Sequence, residues 1–253
     1  MPATQENQIG MIVYAPALAG DDGRPLAVVR GMERARPGLR IGLMISDEGQ
    51  LIPLPDRDAF VARESSRGEM PPLRSTDNDF RVSVTGWGIP AGLCPGGRAQ
   101  FEFHVALPLS ADGIAAAAAL LEAVAEAGRA FWGHATPFSA GVDIARQTRG
   151  GRTDREAPPR GLPTIKLPEM IRSPEIPHRL GWLNYWSATA ARAIGFPDTA
   201  RDADLLSRAL RTATGGWVVR LTDAPLDLDN PAHLDALLRA YERFPEIGGR
   251  SAP

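Results

Sequence analysis

The chain has 253 residues, a formal net charge of -2 and one cysteine, Cys94. A single cysteine excludes an internal disulfide framework, and the near-neutral charge provides no basic surface of the kind that binds nucleic acid or anionic membranes. The longest apolar stretch, residues 114–121, is far shorter than the ~20 residues of a membrane span. Residues 1–7 lack the basic start of a signal peptide. We therefore expect a cytoplasmic protein without a nucleic-acid or membrane partner.

The N-terminal part of the chain alternates predicted strands with short helices. Pro25 suits the first turn of a helix, and Pro37-Gly38 ends it. Residues 64–78 are polar and contain Pro71-Pro72, which predicts a loop. The predicted strands cover residues 8–14, 40–46 and 51–54, and the predicted helices cover residues 26–35 and 56–63.

The clearest strands come next, because their apolar residues alternate strictly with polar ones. Phe80, Val82 and Val84 form one such series, and every second residue from Phe101 to Leu109 forms the other. This period places one set of side chains on a core face and the other set towards solvent. The Gly/Pro-rich connection between the series, residues 88–97, predicts an antiparallel pair.

A long helix is predicted over residues 110–132, with Ser110 as its N-cap and small apolar residues at helical spacing. Residues 138–146 fit either a strand or a short helix. Residues 148–177 are rich in Arg, Gly and Pro and predict a long exposed loop.

The C-terminal third is strongly patterned. Asn230-Pro231 is a helix start, with Asn230 as the cap and Pro231 at the first helical position. Together the elements predict one α+β domain over residues 1–253, with a mainly antiparallel sheet and helices packed on it. The predicted strands cover residues 179–187 and 217–222, and the predicted helices cover residues 188–194, 199–212 and 231–244.

The sequence contains no motif for common catalytic or cofactor chemistry. It has no Gly-rich nucleotide loop, no His-Glu-x-x-His, no Cys-x-x-Cys and no Gly-x-Ser-x-Gly. Asp227-x-Asp229 resembles the start of a calcium loop, but the glycine and the distal glutamate are missing. Helix capping explains these acids better. We assign no catalytic residue, no metal site and no cofactor.

Candidate contacts with a protein partner lie in the loops and at one tryptophan. Trp87 ends a strand beside a Gly-Pro loop, where it is either part of the core or an exposed anchor. Loops carry recognition on a rigid scaffold, so residues 64–79 and 148–177 are the favoured variable contacts. The candidate residues are Trp87, Asp77, Asp79, Arg152, Arg155 and Arg160.

Two blocks near the C-terminus resemble a known family. The run Leu180-Gly181-Trp182-Leu183-Asn184-Tyr185-Trp186-Ser187 is similar to the Gly-Trp-x-x-Tyr-x-Ser strand of the fifty-second family in the bacterial polymorphic-toxin immunity series. Gly215-Gly216-Trp217, followed by Thr222-Asp223-Ala224-Pro225 and Asp229-Asn230-Pro231-Ala232-His233, resembles a second block of that family and of the related type VI secretion immunity proteins. The resemblance extends over residues 179–240.

The resemblance implies a non-enzymatic protein that binds a cognate toxin and protects the cell that produces it. The shared motifs form strands, turns and caps, so they transfer no functional residue to this sequence. Two alternatives stay open. One is an enzyme whose site assembles from residues distant in the chain, and the other is a structural or regulatory partner of a secretion system.

Overall fold

The computed structural model describes residues 7–148 and 157–250, whose centre is a sheet of ten strands. Every pair of neighbouring strands is antiparallel, which confirms the α+β prediction. The strands are β1 Gln8–Pro16, β2 Ile41–Ile45, β3 Leu51–Pro53, β4 Met70–Ser75, β5 Ser83–Ile89, β6 Gln100–Pro108, β7 Trp132–Pro137, β8 Leu183–Trp186, β9 Ala209–Arg211 and β10 Trp217–Arg220. Their spatial order is β3-β2-β4-β5-β6-β1-β7-β8-β10-β9.

Seven α-helices lie within the described residues, and none of them is long and apolar enough to span a bilayer. The division of the chain into domains stays a prediction. The helices are α1 Arg24–Ala35, α2 Arg57–Ser65, α3 Ala111–Gly128, α4 Phe138–Ala145, α5 Ala188–Ala193, α6 Ala203–Ser207 and α7 Pro231–Arg243.

Helices α1 and α3 pack together and cover the first face of the sheet, where the main core lies. The alternation in β1 and β6 puts Met11, Val13, Phe101 and Phe103 on this face, all buried. Ser110 caps α3 as predicted, because its Oγ accepts a hydrogen bond from the Gly113 amide at 3.3 Å. The period-2 pattern of the sequence therefore predicted the core face of β5 and β6 correctly, because Val84 of β5 is buried with Phe101 and Phe103.

The C-terminal elements cover part of the second face. Trp186 of β8 packs edge-on against Phe196 and Phe244, with ring centroids 5.1 and 5.3 Å apart. Phe244 follows α7, whose start is the predicted one: Asn230 Oδ1 accepts a hydrogen bond from the Ala232 amide at 3.0 Å. The second face stays open over β5, β6 and part of β1.

The prediction of a loop over residues 64–78 was wrong, because β4 crosses this segment. Met70 and Leu73 are buried, and the pairing of β4 with β5 changes register between them. Pro71-Pro72 falls at this irregularity, where the missing amide donors interrupt no ladder bond. The segment was predicted as a loop because its composition is polar and it contains two consecutive prolines.

The long central helix is shorter than predicted. It ends at Gly128, because Arg129 takes a left-handed conformation with φ 52°. The Phe131 amide then donates a hydrogen bond to the Tyr14 carbonyl, and Trp132 begins β7 instead of ending the helix. Pairing with β1, which is distant in the chain, decides this boundary.

Two further segments differ from their predictions, and the structure decides an alternative that the sequence left open. The segment 199–212 contains only the short helix α6 and then the strand β9, which pairs with β10. The strand predicted over residues 179–187 is limited to β8. In both segments interactions with other elements override the local pattern. Of the two alternatives for residues 138–146, the structure has the short helix, α4.

The segment 148–177 has no strand or α-helix in its described part, as predicted, but it is not simply exposed. Four of its apolar side chains are inserted into the protein and are at most 3% exposed. The sequence did not predict their burial, because these apolar residues are spaced irregularly within a segment of loop-like composition. They are Leu162, Ile165, Ile171 and Ile176.

Candidate functional site

The open part of the second face carries a grid of polar and aromatic side chains. In the ladder, Thr85 and Ile12 flank His104, while Trp87 and Tyr14 flank Glu102. The alternation that buries the first face necessarily directs these side chains away from α1 and α3. No α-helix in the described residues packs closely on β5 or β6 from this side, and Trp87 is the exposed member of the grid.

Trp87 is exposed, which decides between the two alternatives that the sequence left open. Its side chain stacks on His104 with ring centroids 4.0 Å apart and planes inclined by 19°, and 42% of the residue is exposed. His104 Nε2 lies 2.9 Å from Glu102 Oε2. The stack and the hydrogen bond hold the indole in place while one side of it stays accessible. Its role in binding a partner stays a prediction.

Two more exposed apolar side chains lie at the same end of the sheet. Leu93 is in the 3-10 turn Ala91–Leu93, directly after β5, and Met170 is in the turn Pro168–Met170, which packs beside it. Leu93 is 57% exposed and Met170 is 60% exposed. We call Trp87, Leu93 and Met170 the apolar patch. Leu93 and Met170 were not predictable from the sequence, because irregular turns have no periodicity that reveals exposure.

Asp77 and Asp79 lie in the exposed turn between β4 and β5. The Asp79 amide donates a hydrogen bond to Asp77 Oδ1 at 2.8 Å, so the first acid shapes the turn. Trp87 lies towards the other end of β5, roughly 13 Å along the strand from Ser83 at ~3.3 Å per residue. The structure therefore does not bring the acidic turn and the apolar patch into one compact site.

Arg160 is held by interactions within the protein. Its Nε donates to Asp143 Oδ2 at 2.6 Å, and its Nη1 lies 2.8 Å from Asp229 Oδ1. These hydrogen bonds, led by the one to Asp143, raise the pKa of the Arg160 guanidinium. The side chain thus connects α4 with the turn before α7. Arg152 and Arg155 lie outside the described residues.

Asp227 and Cys94, two further groups considered from the sequence, lie in structural settings. Asp227 Oδ1 accepts a hydrogen bond from the Asp229 amide at 3.0 Å, and no group of three or more potential metal ligands occurs in the described ranges. Cys94 is buried, and desolvation raises the pKa of its thiol, which disfavours the nucleophilic thiolate.

A family model described as a domain of unknown function, DUF5953, matches residues 20–252. The chain belongs to the DUF5953 family. This match does not confirm the resemblance to the immunity family, which stays a prediction. No curated protein sequence matches the chain significantly.

Among solved structures, the Pseudomonas aeruginosa T6SS protein PA0821 has a similar fold. The two share 17% sequence identity with a TM-score of 0.50, and the match covers 94% of this DUF5953 chain and 72% of that chain. At this identity the similarity establishes a common fold, and a common fold does not establish a common function.

Proposed function

We propose that this DUF5953 protein is a non-enzymatic immunity protein that acts in the cytoplasm by binding a cognate toxin. The observation that carries the proposal is the exposed Trp87 on an open sheet face, at the same end as Leu93 and Met170. Contiguous exposed apolar side chains with a polar rim are typical of protein-binding surfaces. Tryptophan is also enriched among the residues that dominate binding energy.

The strands beneath this surface make it suitable for tight binding. Trp87 is held by His104, and β5 pairs along its whole length with β6. A preformed surface loses little conformational entropy on association, so more of the interaction energy appears as affinity. We propose that the protein blocks its toxin by occlusion.

Two further observations support a role connected with secretion. The fold is similar to that of a T6SS protein, and the two sequence blocks that resemble the immunity family form β8, β10 and the start of α7. These blocks build the scaffold, whereas the apolar patch lies outside them. Such a division is expected where different members of a family bind different partners.

The test is co-expression with the toxin candidate encoded by the neighbouring gene, followed by purification and a measurement of the stoichiometry. We expect a stoichiometric complex and protection of the cell, with both weakened by Trp87→Ala or Met170→Ala. Leu210→Ala is the matched control, because Leu210 is also 60% exposed but lies on β9 at the far edge of the sheet. If the protein neither protects the cell nor forms a complex with the toxin, the immunity proposal is refuted.

The hydrogen bond between Glu102 and His104 favours a second candidate, an enzyme. A carboxylate that orients a histidine is a common arrangement in general acid–base catalysis, and this pair borders the accessible Trp87. If the protein acts catalytically, amounts of it that are substoichiometric to the toxin should protect the cell. Glu102→Gln should then abolish this protection. If it acts by occlusion, protection should follow the amount of complex instead.

A structural or regulatory partner of a secretion system is the third candidate. It predicts that the protein is captured with components of the secretion machinery and that its loss impairs secretion. An immunity protein predicts normal secretion and self-poisoning. Deletion of the gene, with secretion and survival measured in parallel, distinguishes the two.

A further inference from the structure

A second site lies beneath α4, separate from the apolar patch. Helix α4 packs on β1 and β7, and a cavity of about 270 Å³ opens between them. Its walls are mainly apolar side chains, with Ile12 on the sheet and Phe138, Val142 and Ala145 on the helix. This volume is near the lower end of the ~300–1,000 Å³ of small-molecule pockets, so an occupant would be small.

His134 borders this cavity with unused hydrogen-bonding capacity. The residue is only 7% exposed, and neither ring nitrogen has a partner among the described residues. Buried polar atoms in native proteins are nearly always hydrogen-bonded, to protein, to water or to a ligand. Desolvation, with a smaller contribution from the charge of Arg179, lowers the pKa of His134 to about 3. The ring is therefore neutral at pH 7, with one N–H to donate.

Arg179 supplies a positive charge at the same cavity. Its Nη2 donates to His178 Nδ1 at 3.2 Å, while its buried Nε has no partner among the described residues. His178 is fixed in turn, because its Nε2 lies 2.9 Å from the Lys166 carbonyl oxygen. The guanidinium is thus oriented by a neutral histidine.

Arg179 differs in this respect from three other partly buried arginines. Arg24, Arg57 and Arg243 each have a carboxylate within 2.6 Å, whereas no carboxylate in the described residues forms an ion pair with Arg179. Arg179 is partly buried, and the planar donors of a guanidinium match a carboxylate well. A carboxylate in the cavity would supply the counter-charge that no described residue supplies as an ion pair.

We infer that the cavity beneath α4 binds a small apolar monocarboxylate, such as a short alkyl or single-ring acid. The carboxylate accepts hydrogen bonds from Arg179 and from the N–H of His134, and the apolar body occupies the space between Ile12 and Val142. This inference does not depend on the proposed toxin binding, because its residues are separate from the apolar patch.

The probe is hexanoate, compared by isothermal titration calorimetry with hexan-1-ol and with acetate on the full chain. We expect hexanoate to bind with a dissociation constant of about 1 mM or tighter, within the affinity accessible to so few atoms. Hexan-1-ol lacks the charge and acetate lacks the apolar body, so each should bind at least about tenfold more weakly. No binding of hexanoate, or equal binding of hexan-1-ol, would overturn the inference.

Two variants test the geometry, and neither depends on the other. Arg179→Gln should weaken hexanoate binding by about ten- to a hundredfold, as expected for a charge-assisted hydrogen bond. The matched control is Arg172→Gln, because the Arg172 side chain is 72% exposed and its replacement should leave hexanoate binding unchanged. Gly141→Leu should occupy part of the cavity, since Gly141 belongs to its lining and a Cβ there meets nothing within 4 Å.

Circular dichroism establishes that each variant is folded. If Arg179→Gln fails to fold, Gly141→Leu and the comparison with hexan-1-ol still decide the question. Undiminished hexanoate binding by folded Gly141→Leu would place the ligand elsewhere and refute the site.

Discussion

Arg243 of α7 forms a two-pronged ion pair with Asp202, whose side chain is completely buried. Arg243 Nε lies 2.6 Å from Asp202 Oδ1, and Nη2 lies 2.9 Å from Oδ2. The Asp198 amide donates to the same carboxylate at 2.7 Å, and Arg243 Nη2 also reaches the Gly195 carbonyl. One side chain therefore connects the last helix to the segment between α5 and α6.

Removal of this arginine should destabilise the protein strongly. Arg243→Ala leaves the Asp202 carboxylate buried without its counter-charge, a situation that costs about 3–5 kcal/mol. The control is Arg239→Ala in the same helix, because Arg239 is 66% exposed and its pair with Asp235 should contribute about 0.5 kcal/mol or less. Urea denaturation of both variants measures the difference. Equal and small decreases in stability would contradict the structural role of the buried pair.

The N-cap of α7 should contribute a smaller and separable increment. Asn230→Ala removes the acceptor of the Ala232 amide, so the free energy of unfolding should fall by ~1 kcal/mol. Asn78→Ala, in the exposed turn after β4, is the matched control and should leave the denaturation midpoint nearly unchanged. The capping argument fails if the two variants have the same stability.

The stability of the protein should decrease below about pH 6.5. Burial, followed by the charge of Arg179, lowers the pKa of His178 to about 3, and burial likewise lowers the pKa of His134 to about 3, from an ordinary value of 6.5. The unfolded chain therefore binds more protons than the folded one between these values, so the free energy of unfolding falls as the pH falls. Each histidine contributes at most about 1.4 kcal/mol per pH unit, and the contribution is fully present above pH 6.5.

Denaturation series between pH 8 and pH 4 measure this dependence, with His134→Phe as the comparison. The variant has no imidazole to protonate at this position, so its stability should fall less steeply with decreasing pH. An identical slope for the variant and the unchanged protein would show that His134 does not resist protonation.

Truncation of Trp87 should weaken the proposed toxin complex more than it weakens the fold. Trp87→Ala should cost at least ~2 kcal/mol of binding free energy, as expected for a central aromatic anchor. It should lower the free energy of unfolding by only about 1 kcal/mol, since within the protein the substitution mainly removes the stack on His104. Titration calorimetry with the purified toxin gives the first value and urea denaturation the second. Binding unchanged from that of Leu210→Ala would remove Trp87 from the interface.

Several elements were predictable because the physical cause is local. The alternation in β5 and β6 follows from one face being buried, and Asn230-Pro231 defines a helix start through its own side chain and ring. Pro71-Pro72 misled the prediction for the opposite reason. A proline tolerates a strand position where the ladder is irregular, and only the partner strand creates that irregularity.

The candidate site was predictable only in part. Trp87 was recognisable as an aromatic residue beside a turn, but its exposure depends on what covers β5, which no local pattern records. Arg160 was a candidate because it lies in a charged loop, yet Asp143 and Asp229 hold it from distant parts of the chain. Leu93, Met170 and the His134 cavity have no signal in the sequence.

The sequence by itself determined the α+β class, the core face of the central strands and the caps of α3 and α7, because periodicity and capping act over a few residues. The tertiary structure decided where α3 ends, which face of the sheet stays open, and that Arg179 and His134 border one apolar cavity. These features arise from interactions between residues far apart in the chain. Burial and the absence of hydrogen-bond partners depend on everything that surrounds a side chain, so no short stretch of sequence specifies them.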